Sequence, residues 1–168
     1  MPESAPGWTR WLALSAVVLA ADLATKVWVT RAFSTGDVIA VTSFFNLVLV
    51  YNTGAAFSFL AGAGGWQRWF FMAVSAIVSV VIVWLLRRHS RERLMACALA
   101  LVLGGALGNL YDRATLGRVI DFIQLHAAGY YWPAFNVADS AISVGVALLI
   151  WDSIREGIAV KNAKREQP

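Results

Sequence analysis

The chain has 168 residues, of which 59% are hydrophobic and 14% charged, and its mean hydropathy is +0.63. That balance excludes a disordered chain, and 18.3 kDa encloses too little volume to hide so much apolar surface from water, so the composition points to lipid. The formal charge of +4 suits nucleic acid or anionic lipid, and the single cysteine, Cys97, excludes an internal disulfide and a Cys-rich metal site.

A helix needs about 20 predominantly apolar residues to cross roughly 30 Å of hydrocarbon. The first such run is about 11–30, interrupted in its outer half by Asp22 and Lys26. A cleavable signal peptide is the competing reading, because Arg10 precedes an apolar run ending Leu19-Ala20-Ala21. Its removal would leave three spans with the termini on opposite sides. The segment at about 31–65 contains Asp37–Leu60, rich in β-branched and aromatic residues, with Asn46–Tyr51 almost continuously apolar and Asn52-Thr53-Gly54 closing the run. This predicts a short strand or two and a turn, followed by a joint at Gly62–Gly65.

The second span, about 69–86, holds no charge and only Ser75 and Ser79 as polar side chains. The third, about 94–110, is also uncharged and carries Gly104, Gly105 and Gly108 in its second half. The fourth, about 138–154, is bounded by Asp139 and Asp152. A soluble bundle would need polar faces that the second and third runs lack. The expected fold is an all-α membrane protein, residues 1–168 forming a single integral membrane domain, with four transmembrane helices and a small β platform on one surface.

Basic residues set the direction. With both termini cytoplasmic, the inner segments hold Arg10, Arg87, Arg88, Arg91, Arg93, Arg155, Lys161, Lys164 and Arg165, nine of the fourteen Lys and Arg residues. Only Arg31, Arg68, Arg113 and Arg118 then lie outside, and Lys26 falls within a span. Positive charge belongs inside. The β platform is therefore expected on the periplasmic or outer side, and the basic balance calls for no nucleic acid.

Ionisable groups in or beside a bilayer are costly, so each raises a functional question. Asp22 and Lys26 stand four apart on one helix face, acid before base, which suits a structural ion pair; a proton or ion path is the alternative. Asp112 and Arg113 close the third span, Asp121 follows in the connecting loop, and Asp139 opens the fourth. Eighteen residues separate Asp121 from Asp139, about 27 Å if helical, so the chain must fold back, at Ala127-Ala128-Gly129 or Trp132-Pro133, for them to meet. Two carboxyl groups in contact share a proton and titrate as a pair, which suits peptide hydrolysis: one draws a proton from water while the other polarises the carbonyl. Solvated loop acids are the plainer reading of the spacing alone. His89 and His126 are the only histidines and neither HExxH nor GxSxG occurs, so neither a zinc nor a serine hydrolase plan has its residues.

Four strings matter together: Asp22-Leu-Ala-Thr-Lys26-Val-Trp28; Asn52-Thr-Gly-Ala-Ala-Phe-Ser58; Gly104-Gly-Ala-Leu-Gly-Asn-Leu-Tyr-Asp-Arg113 followed by Val119-Ile-Asp-Phe122; and Phe135-Asn-Val-Ala-Asp-Ser140. Their order and their placement on four spans closely resemble the lipoprotein signal peptidase (signal peptidase II) family of bacteria, over about residues 11–155. The resemblance implies a membrane aspartic peptidase of the inner (cytoplasmic) membrane, without metal or organic cofactor. It would cleave diacylglyceryl-modified prolipoproteins just before the lipidated cysteine, at the periplasmic face. It implies Asp121 and Asp139 as the catalytic pair and Asn52, Gly54, Asn109, Arg113 and Asn136 as substrate-binding positions, which globomycin-type inhibitors would share. Asn109 can equally bond another helix and Asn136 can cap the fourth span; Asp112 reads as structural. A monomer is expected. The Phe33–Leu60 platform, with Phe44, Phe45, Phe57 and Phe59, is expected to seat partly in lipid and act as a mobile lid. The runner-up is a transport or scaffolding protein with an ion path lined by Asp22, Lys26, Asp121 and Asp139, which calls for acids spread through the membrane depth.

Overall fold

The computed structural model describes residues 7–54, 60 and 62–165. Four long helices dominate it: α1 (Thr9–Ala32), α2 (Trp66–His89), α3 (Arg93–Leu116) and α4 (Val137–Arg165). The first three have 24 residues each, about 36 Å at 1.5 Å per residue, and α4 is apolar enough to span over Val137–Ala159. All four are long and apolar enough to cross a membrane.

Each helix outruns its apolar stretch, because backbone bonding continues after the side chains turn polar. In α3 this matters most. The helix passes the expected end near Leu110 and stops at Gly117, whose φ of +73° and N–H bond to the Arg113 carbonyl (3.1 Å) form a left-handed C-terminal cap. Asp112 and Arg113 therefore lie inside its last turns rather than beyond them.

Helix α3 is the hub, packed against α1, α2 and α4. A layer of Ile82, Leu86, Ala96, Leu99, Val102 and Leu103 joins it to α2. Towards α1 and α4 the contact is closer than side chains allow. A Cβ on Gly105 would strike the Ala138 carbonyl of α4, and one on Gly108 would strike Asp22 Oδ2 of α1. Small residues let backbones approach where lipid supplies no hydrophobic drive between helices. The outward faces stay apolar: Trp69, Ile77, Val80 and Trp84 of α2 are all at least half exposed, a surface suited to acyl chains rather than water.

One end of the bundle carries an antiparallel sheet in the order β1 (Val38–Ala40), β2 (Phe45–Asn52), β3 (Val119–Ala127), β4 (Tyr130–Tyr131). The platform expected from about 31–65 supplies only β1 and β2; the rest comes from the segment read as a loop around Asp121. Residues 119–122 are buried on both faces, so β3 shows no alternation to betray it. Leu49, Ile120 and Phe122 seat the sheet on Val29 of α1. At the opposite end the Trp11 indole donates to the Ser90 carbonyl at 3.1 Å, which sets the start of α1 beside the α2–α3 turn with Arg87, Arg88, Arg91 and Arg93. Phe44 is exposed in the bend between β1 and β2; Phe57 and Phe59 of the expected lid lie outside the described residues.

Candidate active site

Two local devices bring distant polar residues together. The first is a bulge in β2. Leu47 pairs with Ile123, but Val50 pairs with Asp121, so β2 gains one residue between them. An unbulged ladder would set Leu49 opposite Asp121 and Tyr51 on its face; the bulge substitutes Val50 and Asn52. Asn52 Nδ2 then donates to Asp121 Oδ2 at 3.2 Å, while its Oδ1 accepts the Gly54 N–H at 2.9 Å and so fixes the direction of the amide.

The second device is the return from β3 to α4. Ala128 (φ +50°) and Gly129 (φ +83°) form a two-residue hairpin loop with both residues at positive φ, as a type I′ turn requires. Phe135 then bonds back to β3, its N–H to the Ile123 carbonyl at 3.0 Å and its carbonyl accepting the Ile123 N–H at 2.8 Å. This sets Asn136 beside Asp121. Asn136 Nδ2 donates to Asp121 Oδ1 at 2.8 Å and lies within reach of the Ile120 and Asn109 oxygens, at 3.2 and 3.3 Å.

Asn136 also caps α4. Its Oδ1 accepts the Asp139 N–H at 2.9 Å, and Asp139 Oδ2 accepts the Asn136 N–H at 3.3 Å, a reciprocal capping box. Asn109 Nδ2 donates to the other oxygen of Asp139 at 2.7 Å. Capping and contact with the acids are thus combined in one asparagine, and Asn109 does bond another helix. Asp121 and Asp139 line the same cavity, of about 760 Å³, with Asn52, Asn109, Arg113, Trp132 and Phe135. Arg113 Nη2 donates to the Gly54 carbonyl at 2.8 Å, and its buried Nε has no hydrogen-bond partner among the described residues.

Asp121 is 2% exposed, and burial, followed by the charge of Asp139, pushes its pKa up from the ordinary 3.8 to about 7. Hydrogen bonds from Asn52 and Asn136, and then the Lys26 cation, pull the other way without cancelling the rise. Asp121 therefore holds a proton where a free carboxyl group would have lost it.

Beneath the cavity lies an ion cluster. Lys26 Nζ meets Asp22 Oδ2 at 2.7 Å and Asp112 Oδ2 at 2.9 Å, all three residues buried. Asp22 Oδ1 accepts the Ala138 N–H of α4 at 2.9 Å, and Asp112 Oδ2 accepts the Ile120 N–H of β3 at 3.1 Å. These two supports escaped the sequence reading, since their partners lie far away in the chain and are backbone groups. His126 stacks on Tyr131 and His89 contacts the Leu85 carbonyl, both outside the cavity lining. Among the described residues no three His, Cys, Asp or Glu side chains are grouped to hold a metal ion.

Fold and site together define a multi-pass membrane protein with two carboxyl groups converging in a cavity at one end of its helices. The family pattern described as signal peptidase (SPase) II matches residues 14–155. The lipoprotein signal peptidase of Ralstonia nicotianae is 54% identical over 145 residues, covering 86% of this chain and 84% of that protein. That of Cupriavidus taiwanensis is 55% identical over 145 residues, covering 86% and 82%. A solved bacterial membrane enzyme, determined in meso at 2.3 Å, superposes with a TM-score of 0.81 at 30% identity, covering 89% of this chain and 90% of that one. The chain belongs to the signal peptidase II family and is a membrane peptidase.

Proposed function

We propose that this chain removes the signal peptide from diacylglyceryl-modified prolipoproteins, cutting before the lipidated cysteine by means of Asp121 and Asp139. What carries the reading is the pairing of a buried Asp121, its pKa raised to about 7, with Asp139 in one cavity. The Asp139 carboxylate takes a proton from the attacking water while protonated Asp121 donates to the carbonyl oxygen of the scissile bond. As the C–N bond breaks, the proton taken by Asp139 passes to the leaving amine and a hydroxyl of the tetrahedral intermediate returns its proton to Asp121, which restores the pair. Asn109 and Asn136 hold the two acids, while Asn52 and Arg113 present N–H groups to the substrate backbone and the developing oxyanion. Gly54, tied to Arg113, leaves room for the substrate backbone.

The chain acts as a single integral membrane domain and as a monomer, since both acids come from one chain. It lies in a bacterial inner membrane with the termini cytoplasmic and the sheet end periplasmic, a direction supported by the nine basic residues of the other side. The signal segment and acyl chains of the substrate enter laterally from lipid, and globomycin-type inhibitors occupy the same cavity.

The test is cleavage of a purified diacylglyceryl-modified prolipoprotein by wild type, Asp121→Asn and Asp139→Asn, with an unlipidated substrate beside it. The reading expects folded, inactive variants and cleavage of the lipidated substrate alone. Near-full activity in either variant refutes the acid pair, and equal cleavage of the unlipidated substrate refutes the specificity.

A further inference from the structure

We propose that Lys26 is a positioning residue of the peptidase: its ammonium fixes the Asn109 amide with the nitrogen end towards Asp139, and so holds the two carboxyl groups in working geometry from beneath the cavity. The inference rests on the Asp121–Asp139 reading and adds to it a buried residue outside the cavity lining.

An ammonium has three N–H bonds. Lys26, 1% exposed, forms ion pairs with Asp22 Oδ2 and Asp112 Oδ2 and donates, at 3.3 Å, to Asn109 Oδ1. The first two contacts satisfy a buried ion cluster; the third does nothing for charge balance. It does decide which way Asn109 points. Asn109 Oδ1 faces the Lys26 ammonium and the Asn136 amide nitrogen, and Asn109 Nδ2 faces Asp139 Oδ1 at 2.7 Å. Turning the amide over would set its NH2 against two donors and its oxygen against a carboxylate, three repulsive contacts in place of three attractive ones. Without Lys26 the strongest of the reasons for the observed orientation is gone.

Lys26 is absent from the cavity lining, whereas Asn109 and both acids belong to it. Its positive charge also reaches Asp121, where it opposes retention of the proton. The other charged groups around the pair are Arg113 and Asp112 from α3 and Asp22 from α1; β2 contributes the neutral Asn52. Removing Lys26 therefore has two separable effects: the acids lose their register, which lowers kcat, and Asp121 keeps its proton to higher pH, which moves the alkaline limb of the activity profile upward.

Lys26→Met alone strands two buried carboxylates and is a poor test of anything but folding. The informative variants are Lys26→Met/Asp22→Asn and Lys26→Gln/Asp22→Asn, in which an acid is neutralised together with the base, and Asp22→Asn as the control that keeps Lys26. Each is purified as full-length protein in lipid, its folded fraction is measured, and kcat and KM are followed from about pH 5 to 9 on the lipidated prolipoprotein. The Met double variant is expected to lose on the order of 10²-fold in kcat, the scale of a misplaced reacting group, with KM changed less than about threefold and the alkaline limb displaced upward. The Gln double variant keeps an N–H for Asn109 and is expected to recover about tenfold in kcat while its limb stays displaced. Asp22→Asn keeps the wild-type limb. A folded Met variant with the kcat and limb of Asp22→Asn overturns the proposal, as does a Gln variant no better than Met. Wild-type rates in Asp121→Asn or Asp139→Asn would instead overturn the acid-pair reading beneath it.

Discussion

Asp121→Asn should abolish cleavage and, at the same time, remove a pH-dependent weakness of the fold. The native carboxyl group binds its proton more tightly than the unfolded one, with a pKa of about 7 against 3.8. Between those values the native state holds the extra proton, so stability falls as pH rises and levels off above about 7. The full difference corresponds to about 4 kcal/mol, of which about 2–3 kcal/mol develops between pH 5 and 8. Asparagine does not titrate and loses that slope. It also has one acceptor where aspartate has two, so keeping the 2.8 Å bond from Asn136 sets an NH2 against Asn52, at a cost of about 1–2 kcal/mol that is the same at every pH. Unfolding of both proteins in one lipid or detergent system at pH 5, 6, 7 and 8 gives the answer. The stability of the variant relative to wild type should rise by about 2–3 kcal/mol across that range. Parallel pH dependences for the two proteins would refute the claim that Asp121 keeps its proton in the folded chain.

Activity itself should decline as pH rises through about 7, since the acid form of Asp121 is the one that donates to the carbonyl; a rate still climbing at pH 9 would assign the proton elsewhere. Gly108→Ala drives a methyl group into Asp22 Oδ2 and should cost about 2–4 kcal/mol in unfolding measurements, whereas Gly157→Ala, with open space at its Cβ, should cost nothing. Asp112→Asn keeps an acceptor for the Ile120 N–H but loses its charge opposite Lys26, so stability should fall by about 1–3 kcal/mol with a smaller proportional loss of kcat in the folded fraction. Arg113→Lys exchanges a planar fork for a point charge, frees the Gly54 carbonyl, and should raise KM for the lipidated substrate by about tenfold with the fold intact, as steady-state kinetics will show.

The four helices were legible in the sequence because a lipid-facing helix is apolar on every side, and α2 needs no other signal than the eighteen uncharged residues Trp69–Leu86. A fold-back at Ala127-Ala128-Gly129 or Trp132-Pro133 and a cap at Asn136 were open readings of the sequence, since turns and caps depend on residues close in sequence, but the strands that make the first a hairpin were not legible. What escaped was non-local. The first half of β3, residues 119–122, is buried on both faces and interrupted by Asp121, so it carries neither alternation nor a clean apolar run. The β2 bulge depends on a register between strands some seventy residues apart, and no local pattern marks it, yet it decides that Asn52 rather than Tyr51 reaches Asp121. The acids were named through four motif strings; their supports on the Ala138 and Ile120 amides have no string at all, because a backbone N–H looks the same at every residue.

The position of the charges along the helices argues against the transport reading. An ion path needs polar groups at successive depths, each within reach of the next. Here Asp22, Lys26, Asp112, Asn109, Asn136, Asp121 and Asp139 form one connected set at the sheet end, from Lys26 at its base to Asp139 in the cavity. The other half of the bundle between α2 and α3 is closed by Ile82, Leu86, Leu99, Val102 and Leu103. Among the described buried polar side chains of that half of the bundle, Ser15 of α1 spends its hydroxyl on the Ala100 carbonyl, Ser79 of α2 on the Ser75 carbonyl, and Asp152 of α4 pairs with Arg155 one turn on, so none passes a contact onward to the acids. A connected polar set that ends in a cavity and goes no deeper suits chemistry at a membrane surface, where water is at hand and an apolar substrate segment can arrive through lipid.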